Sequence, residues 1–272
     1  MASPVSAGAL RRLLGEIAAS AQRDHVLAVG GAGELAPVLR QQFLRGRAEP
    51  EAVQLGGPEG ADVYVHVLSA ELATGDVAVL RRAQRARVPV IAVAVGFAEE
   101  ATIPYVLATD VVWVASGRAL PLDAIARAVA ARLGERGAPL AARVPLLREA
   151  VGERLIASFA RKNGLVAAAT WLPRADLPVL ALNDFRLMLR MAQAHGAPGD
   201  VRDRLSELAA TLAAGFGLRA VAREALDLVP GAGWVVKAGV AYAGTRAVGE
   251  AARMRFAAAP TPQRGGAARA GL

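Results

Sequence analysis

His25-Val26-Leu27-Ala28-Val29-Gly30-Gly31-Ala32-Gly33-Glu34-Leu35-Ala36 is the stretch on which the fold turns. An apolar, β-branched run stops at a glycine cluster, and from Glu34 to Leu44 the apolar residues recur with helical spacing. The segment therefore reads as strand, tight loop, helix. The same pattern repeats downstream. Short apolar runs at Val53–Leu55, Val63–Leu68, Val88–Val95 and Val111–Ala115 alternate with amphipathic runs at Asp76–Arg87 and Leu122–Leu133. Strands that are apolar on both faces belong to parallel sheets covered by helices on both sides. The expectation is an α/β domain over residues 1–142, a doubly wound parallel sheet of about five strands, opened by a helix over Pro4–Gln22.

From Val144 the pattern becomes helix after helix, with turns at Leu172-Pro173, Asp176-Leu177-Pro178, Gly196-Ala197-Pro198-Gly199 and Pro230-Gly231-Ala232-Gly233. Val201, Leu205, Leu208, Leu212 and Phe216 fall on one face by steps of three and four, which reads as an amphipathic helix in a bundle. Residues 143–256 are therefore expected to form an all-α domain. Residues 257–272, rich in Ala, Pro, Gly and Arg without periodicity, are expected to be a disordered tail.

Composition narrows the chemistry. Hydrophobic residues make up 54% of the chain but aromatics only 4%, so the core is built from Ala, Val and Leu with closely packed helices. The chain has no cysteine, which removes disulfides, thiolate nucleophiles and Cys-ligated zinc together and suits a reducing cytoplasm. Residues 1–136 carry 14 Arg against 14 acidic side chains, so the whole +8 excess lies in the second half. Ser3-Pro4 reads as an N-cap and first helical position, and Arg11 and Arg12 break up any apolar leader. The longest charge-free runs are each 11 residues, short of the roughly 18 that span a bilayer.

The glycine loop stands where α/β proteins bind phosphate, but it lacks the chemistry. A P-loop needs a lysine for the β/γ-phosphates and a hydroxyl for magnesium. Five residues on from Gly30 and Gly31 stand Leu35 and Ala36, and residues 1–161 contain no lysine. Glu34 puts a negative charge where a phosphate would seek the helix dipole. Gly31, Gly33 and Ala36 do match the dinucleotide fingerprint. Yet the second strand ends in Gln54-Leu55-Gly56-Gly57, without the carboxylate that would hold a ribose, so a structural turn is the favoured reading and dinucleotide binding the alternative.

Among the remaining polar residues of that sheet edge, Ser69, Glu71, Thr74, Asp76, Glu99 and Glu100, Thr74 and Asp76 read as helix caps and the glutamates as solvated first-turn residues, with a paired-carboxylate acid/base site as the alternative. His25, His66 and His195 show no metal spacing, and His66, inside Tyr64-Val65-His66-Val67-Leu68, reads as a satisfied buried histidine. With no GxSxG elbow, no catalytic residue, metal or cofactor is expected.

Residues 24–134 resemble a degenerate bacterial Era-like GTPase domain. Gly56-Gly57-Pro58-Glu59-Gly60-Ala61-Asp62-Val63 stands where a DTPG switch would fall, and Gly96-Phe97-Ala98-Glu99 where such proteins carry NKxD. The resemblance implies a pseudo-GTPase that has lost all three motifs.

Residues 145–256 resemble the YcjF-type domain of bacterial GTPase-associated proteins. The resemblance is carried by Asp176-Leu177-Pro178, Leu187-Met188-Leu189-Arg190-Met191-Ala192, His195-Gly196, Val229-Pro230-Gly231-Ala232-Gly233 and Ala243-Gly244-Thr245-Arg246-Ala247-Val248-Gly249. It implies association with a membrane, without the spanning helices of longer members.

Within it, Pro230–Gly249 has five glycines in twenty residues and reads as a close-packed helical hairpin, with membrane insertion as the competing reading. Arg186, Arg190, Trp234, Lys237, Arg246 and Arg253 are the interaction candidates, facing an anionic membrane surface or a protein partner. Aromatic and Asn/Gln base readers are lacking, so no specific nucleic acid is expected; self-association is compatible with the pattern. The expected protein is non-enzymatic, regulatory or scaffolding, and cytoplasmic, with peripheral attachment at the inner face of the cell membrane.

Overall fold

The computed structural model describes residues 7–98, 101–169, 177–196 and 233–258. The chain divides into two compact units, Ala21–Arg154 and Met1–Ser20 with Leu155–Leu272.

In the first unit β1 (Leu27–Gly31), β2 (Val53–Leu55), β3 (Val63–Ser69), β4 (Val90–Val95) and β5 (Val111–Val114) form one parallel sheet in the order β2-β1-β3-β4-β5. Burial explains the lengths of the apolar runs. The inner strands β3 and β4 are buried almost end to end, whereas the edge strands β2 and β5 are shorter and partly exposed. Helix α2 (Leu35–Phe43) buries Ala36, Leu39 and Phe43, and α4 (Leu122–Leu133) buries Ile125, Val129 and Leu133, the stripes that their helical spacing requires. Chain direction along the sheet reverses between β1 and β3. Right-handed crossovers therefore place α2 and α3 (Thr74–Arg85) on opposite faces. On the α3 side Tyr64, Leu68, Ala92 and Ala94 pack with Leu80 and Ala83.

Of the strand boundaries that differ from the sequence reading, the end of β1 and the start of β4 have identifiable reasons. β1 runs to Gly31 rather than Val29 because Gly30 and Gly31 still pair with His66 and Val67 of β3, so half of the glycine cluster is strand. β4 begins at Val90 rather than Val88 because α3 ends in a two-bond turn: Arg87 N–H donates to Gln84 O at 3.0 Å, and Val88 N–H to Ala83 O at 3.0 Å.

The second unit contains α1 (Ala7–Ala21), most of α6 (Arg148–Ala169), α7 (Leu177–Ala194) and α8 (Gly233–Ala258). The division differs from the expected boundary at 142/143 in two places. Helix α1 belongs to this unit and not to the sheet: Leu13 and Ile17 are buried, and Glu16 pairs with arginines of α7. The division on the C-terminal side falls inside α6, after Arg154, because α5 (Gly137–Arg143), the 3-10 turn Pro145–Leu147 and the first turns of α6 bury Leu140, Leu147 and Val151 within the sheet unit.

The glycine-rich stretch is corrected as well. From Gly233 it is one 26-residue helix rather than a hairpin. Of its glycines, Gly249 serves close packing, since a Cβ there would lie 2.6 Å from Ile156 Cγ1 and 3.2 Å from Leu187 Cδ2, whereas Gly239 has open space around it. On α6, a Cβ on Gly164 would lie 3.4 Å from Ala238 O of α8. Helix α8 reaches Ala258, two residues into the expected tail. Residues 259–272, the helix expected after Asp200, and Ser3-Pro4 lie outside the described residues. Among the described residues no helix is long and apolar enough to cross a membrane.

Candidate functional site

The point where the winding reverses, between the C-terminal ends of β1 and β3, is where open α/β sheets hold ligands. In this protein the backbone there is turned inward. A Cβ on Gly30 would collide with the Tyr64 hydroxyl and the Gly56 carbonyl, and Gly31, at φ 100°, sits against the Val67 carbonyl. Ala32 N–H, the next amide along the loop, donates to that same carbonyl at 2.8 Å. Leu35 and Ala36 N–H both turn back to Ala32 O, at 3.1 and 2.9 Å. Gly30 and Gly31 thus answer to neighbouring protein atoms. Gly33 alone has open space around it, and exposed Glu34 occupies the N-cap of α2 without a side-chain capping bond. Of the acidic residues expected at this edge, Glu99 and Glu100 lie outside the described residues, while Glu71 is exposed.

Beneath the loop lies a polar relay that the sequence showed only in part. Tyr64 and His66, two apart on β3, share a face, and Asp76 comes to them from the first turn of α3. Asp76 Oδ1 is 2.9 Å from His66 Nε2, and Tyr64 Oη is 2.8 Å from His66 Nδ1. A carboxylate only accepts, so the imidazole carries its proton on Nε2, donates to Asp76, and accepts from the Tyr64 hydroxyl. Asp76 Oδ2 also accepts Ala73 N–H at 3.0 Å. Asp76 is therefore the helix cap expected of it; Thr74 is the first helical residue, and Ala73 holds the N-cap position.

Burial pushes the His66 imidazole below its ordinary value, with Asp76 pulling it partway back. Burial likewise pushes the Tyr64 phenol up, reinforced by the Asp76 charge. Such a chain of donors has the form of a proton relay. Both His66 and Tyr64 are 1% exposed, and the relay ties β3 to the start of α3.

The other histidines are similarly engaged. His25 Nδ1 lies 3.0 Å from Asp62 Oδ2, and His195 Nδ1 lies 2.9 Å from Met191 O. Among the described residues no three His, Cys, Asp or Glu side chains are grouped to hold a metal.

In the helical unit, four of the interaction candidates have acidic partners, and one of them, Arg190, is buried. Arg190, its side chain 6% exposed, donates from Nη2 to Glu16 Oε1 at 2.6 Å and from Nη1 to Gln193 Oε1 at 2.9 Å. Arg186 Nη2 reaches the same Glu16 oxygen at 3.1 Å. Arg253 Nε donates to Glu250 Oε2 at 2.8 Å, and Arg246 lies 3.9 Å from the other oxygen of Glu250. Helix α1 thus brings a carboxylate to both Arg186 and Arg190. Lys237 is half-buried on α8, and the side chain of Trp234 lies outside the described residues.

Sequence reasoning missed Glu16 and a polar knot where α6, α7 and α8 meet. Asn163 Nδ2 donates to Asp184 Oδ1 at 2.9 Å and to Thr245 Oγ1 at 2.7 Å. Thr245 Oγ1 donates to Asp184 Oδ1 at 2.9 Å, and Asn183 Nδ2 to Asn163 Oδ1 at 2.7 Å. Asn163, Asp184 and Thr245 are fully buried. The available signal was Asn183-Asp184 interrupting the otherwise apolar run from Leu177 to Phe185.

No protein-family profile, curated protein or solved structure matches this chain.

Proposed function

We propose that the protein is non-enzymatic: a pseudo-GTPase-like α/β unit that serves as a scaffold, joined to a YcjF-type helical unit that docks on a protein partner. The observation that carries the reading is the inward commitment of the β1 loop. Gly30 and Gly31 abut Tyr64, Gly56 and Val67, and Ala32 N–H is spent on Val67 O. A phosphate cradle needs such amides free and a cation nearby, and here the adjoining side chain is Glu34. A protein partner is favoured over an anionic membrane because four of the expected membrane-facing cations, Arg186, Arg190, Arg246 and Arg253, already have Glu16 or Glu250 as ion-pair partners.

Calorimetry with GTP and ATP in magnesium, and with NAD, tests the scaffold reading. The expected result is no binding. A micromolar magnesium-dependent affinity for either triphosphate overturns it, and a micromolar NAD signal instead supports the dinucleotide alternative at Gly31, Gly33 and Ala36.

A further inference from the structure

A cleft of about 410 Å³ opens at the N-terminal edge of β4 and β5, the opposite end of the strands from the Gly31 loop. Its lining combines one buried carboxylate, Asp110, with Arg87, Arg132 and Arg136, and includes Gln84 and Tyr105. Three guanidinium groups against one carboxylate leave the cleft with a net positive charge of two.

Several features come together in the cleft. The Asp110 side chain is 10% exposed, and among the described residues no N–H or O–H donates to it. The nearest cation, Arg132 Nε, stands 3.5 Å from Oδ2, beyond hydrogen-bond reach. Buried carboxylates are ordinarily met by donors. Burial holds this one above the usual aspartate range, and Arg132 only partly offsets it. Arg87 and Arg136 line the same cleft without an acidic partner among the described residues. The backbone is also unusual there. Four non-glycine residues among those described have φ in the left-handed region, and two of them, Arg87 at 56° and Tyr105 at 65°, line this cleft. Arg87 occupies the position after α3 that glycine fills at least cost. Tyr105 is held by Arg81 Nε, which donates to its hydroxyl at 3.0 Å. Strained backbone persists where surrounding structure or a ligand requires it.

We infer that this cleft binds a small oxyanion-bearing molecule that also carries an ammonium or hydroxyl group. Arg87 and Arg136 meet the phosphate or carboxylate, for which the guanidinium fork is matched, and Asp110 accepts from the donor. The volume lies in the lower part of the range of small-molecule sites. The inference is independent of the scaffold reading, which concerns the other edge of the sheet.

The test uses the full chain at low ionic strength, with O-phosphoserine, serine and inorganic phosphate as probes in calorimetry and in NMR of the arginine Nε–H groups. Phosphoserine is expected to bind saturably at one site and more tightly than serine. Arg87→Gln and Arg136→Gln, both at exposed positions, are each expected to weaken it about tenfold or more. Asp110→Asn is expected to weaken phosphoserine while leaving inorganic phosphate within about twofold. Arg87→Gly separates fold from function, because it relieves the left-handed backbone and should melt at a higher temperature while binding as poorly as Arg87→Gln. Absence of saturable binding by any probe, or binding indifferent to both arginine substitutions, overturns the site. An equal loss of phosphate and phosphoserine in Asp110→Asn overturns the role of Asp110.

Discussion

The glycines after β1 separate two readings of one motif. A dinucleotide fingerprint needs Gly31 and Gly33 alike, whereas a structural turn needs only those whose missing Cβ is occupied by a neighbour. Gly31→Ala would combine a left-handed φ with a collision against Val67 O, and a loss of at least about 2 kcal/mol is expected in denaturant unfolding. Gly33→Ala meets nothing within 4 Å and should change stability by less than about 0.5 kcal/mol. Equal losses at both positions would contradict the structural reading. The relay below makes a second, pH-dependent prediction. In the folded state His66 titrates below its ordinary value, so as pH falls the unfolded chain takes up that proton first. The stability due to neutral His66 is therefore present above about pH 6.5 and is lost as pH falls through that value toward the depressed folded one. Tyr64→Phe leaves His66 Nδ1 without its donor and should cost about 1–3 kcal/mol at pH 7. His66→Gln should flatten the unfolding profile between about pH 7 and 5, and an unchanged slope would remove the relay from the account.

Among the elements, those that bury a periodic face were legible in the sequence, and those defined by partners distant in the chain were not. The helix stripe Ile125, Val129, Leu133 and the apolar run Val63 to Leu68 each state their own burial, so α4 and β3 fall where periodicity puts them. Helix α1 shows the limit. Its sequence announces a helix, but nothing local says that Glu16 meets Arg190, 174 residues on, and so nothing local assigns it to the helical unit. Asp110 was invisible for the same reason, since its cleft is assembled from the ends of α3, β4 and α4. The pairing at Glu16 is measurable. Glu16→Ala leaves Arg190 buried with its charge less well met. Because Glu16 itself is about half exposed, the loss is expected at about 1–3 kcal/mol, below that of a fully buried pair. Arg186→Ala, at the more exposed arm, should cost less than about 1 kcal/mol. A fragment of residues 143–256, which lacks α1, is accordingly expected to unfold at lower denaturant than one co-expressed with residues 1–22. Identical midpoints would detach α1 from the unit.

For the molecule as a whole, the question is whether a chain of net charge +8 is drawn to anionic membranes. An isolated arginine near such a surface contributes about 1 kcal/mol, so a cluster of three or four gives measurable binding. Four of the expected cations instead share two carboxylates, Arg186 and Arg190 at Glu16 and Arg246 and Arg253 at Glu250, so each cluster keeps a net charge of +1 rather than +2. Halving the charge of each cluster weakens its attraction to an anionic surface, and what remains is screened beyond the Debye length, about 8 Å at physiological salt. The protein is therefore expected to show at most a diffuse attraction to phosphatidylserine-containing vesicles at low salt, and to remain unbound in flotation at about 0.15 M. Glu250→Gln supplies the complementary arm. It releases Arg246, whose side chain is 53% exposed, and Arg253 together, and should raise the floated fraction while leaving Glu16 and the α1 contact intact. Wild-type protein that floats at about 0.15 M salt, and loses that binding when Lys237, Arg246 and Arg253 are reversed in charge, would restore the membrane surface as the partner of the helical unit.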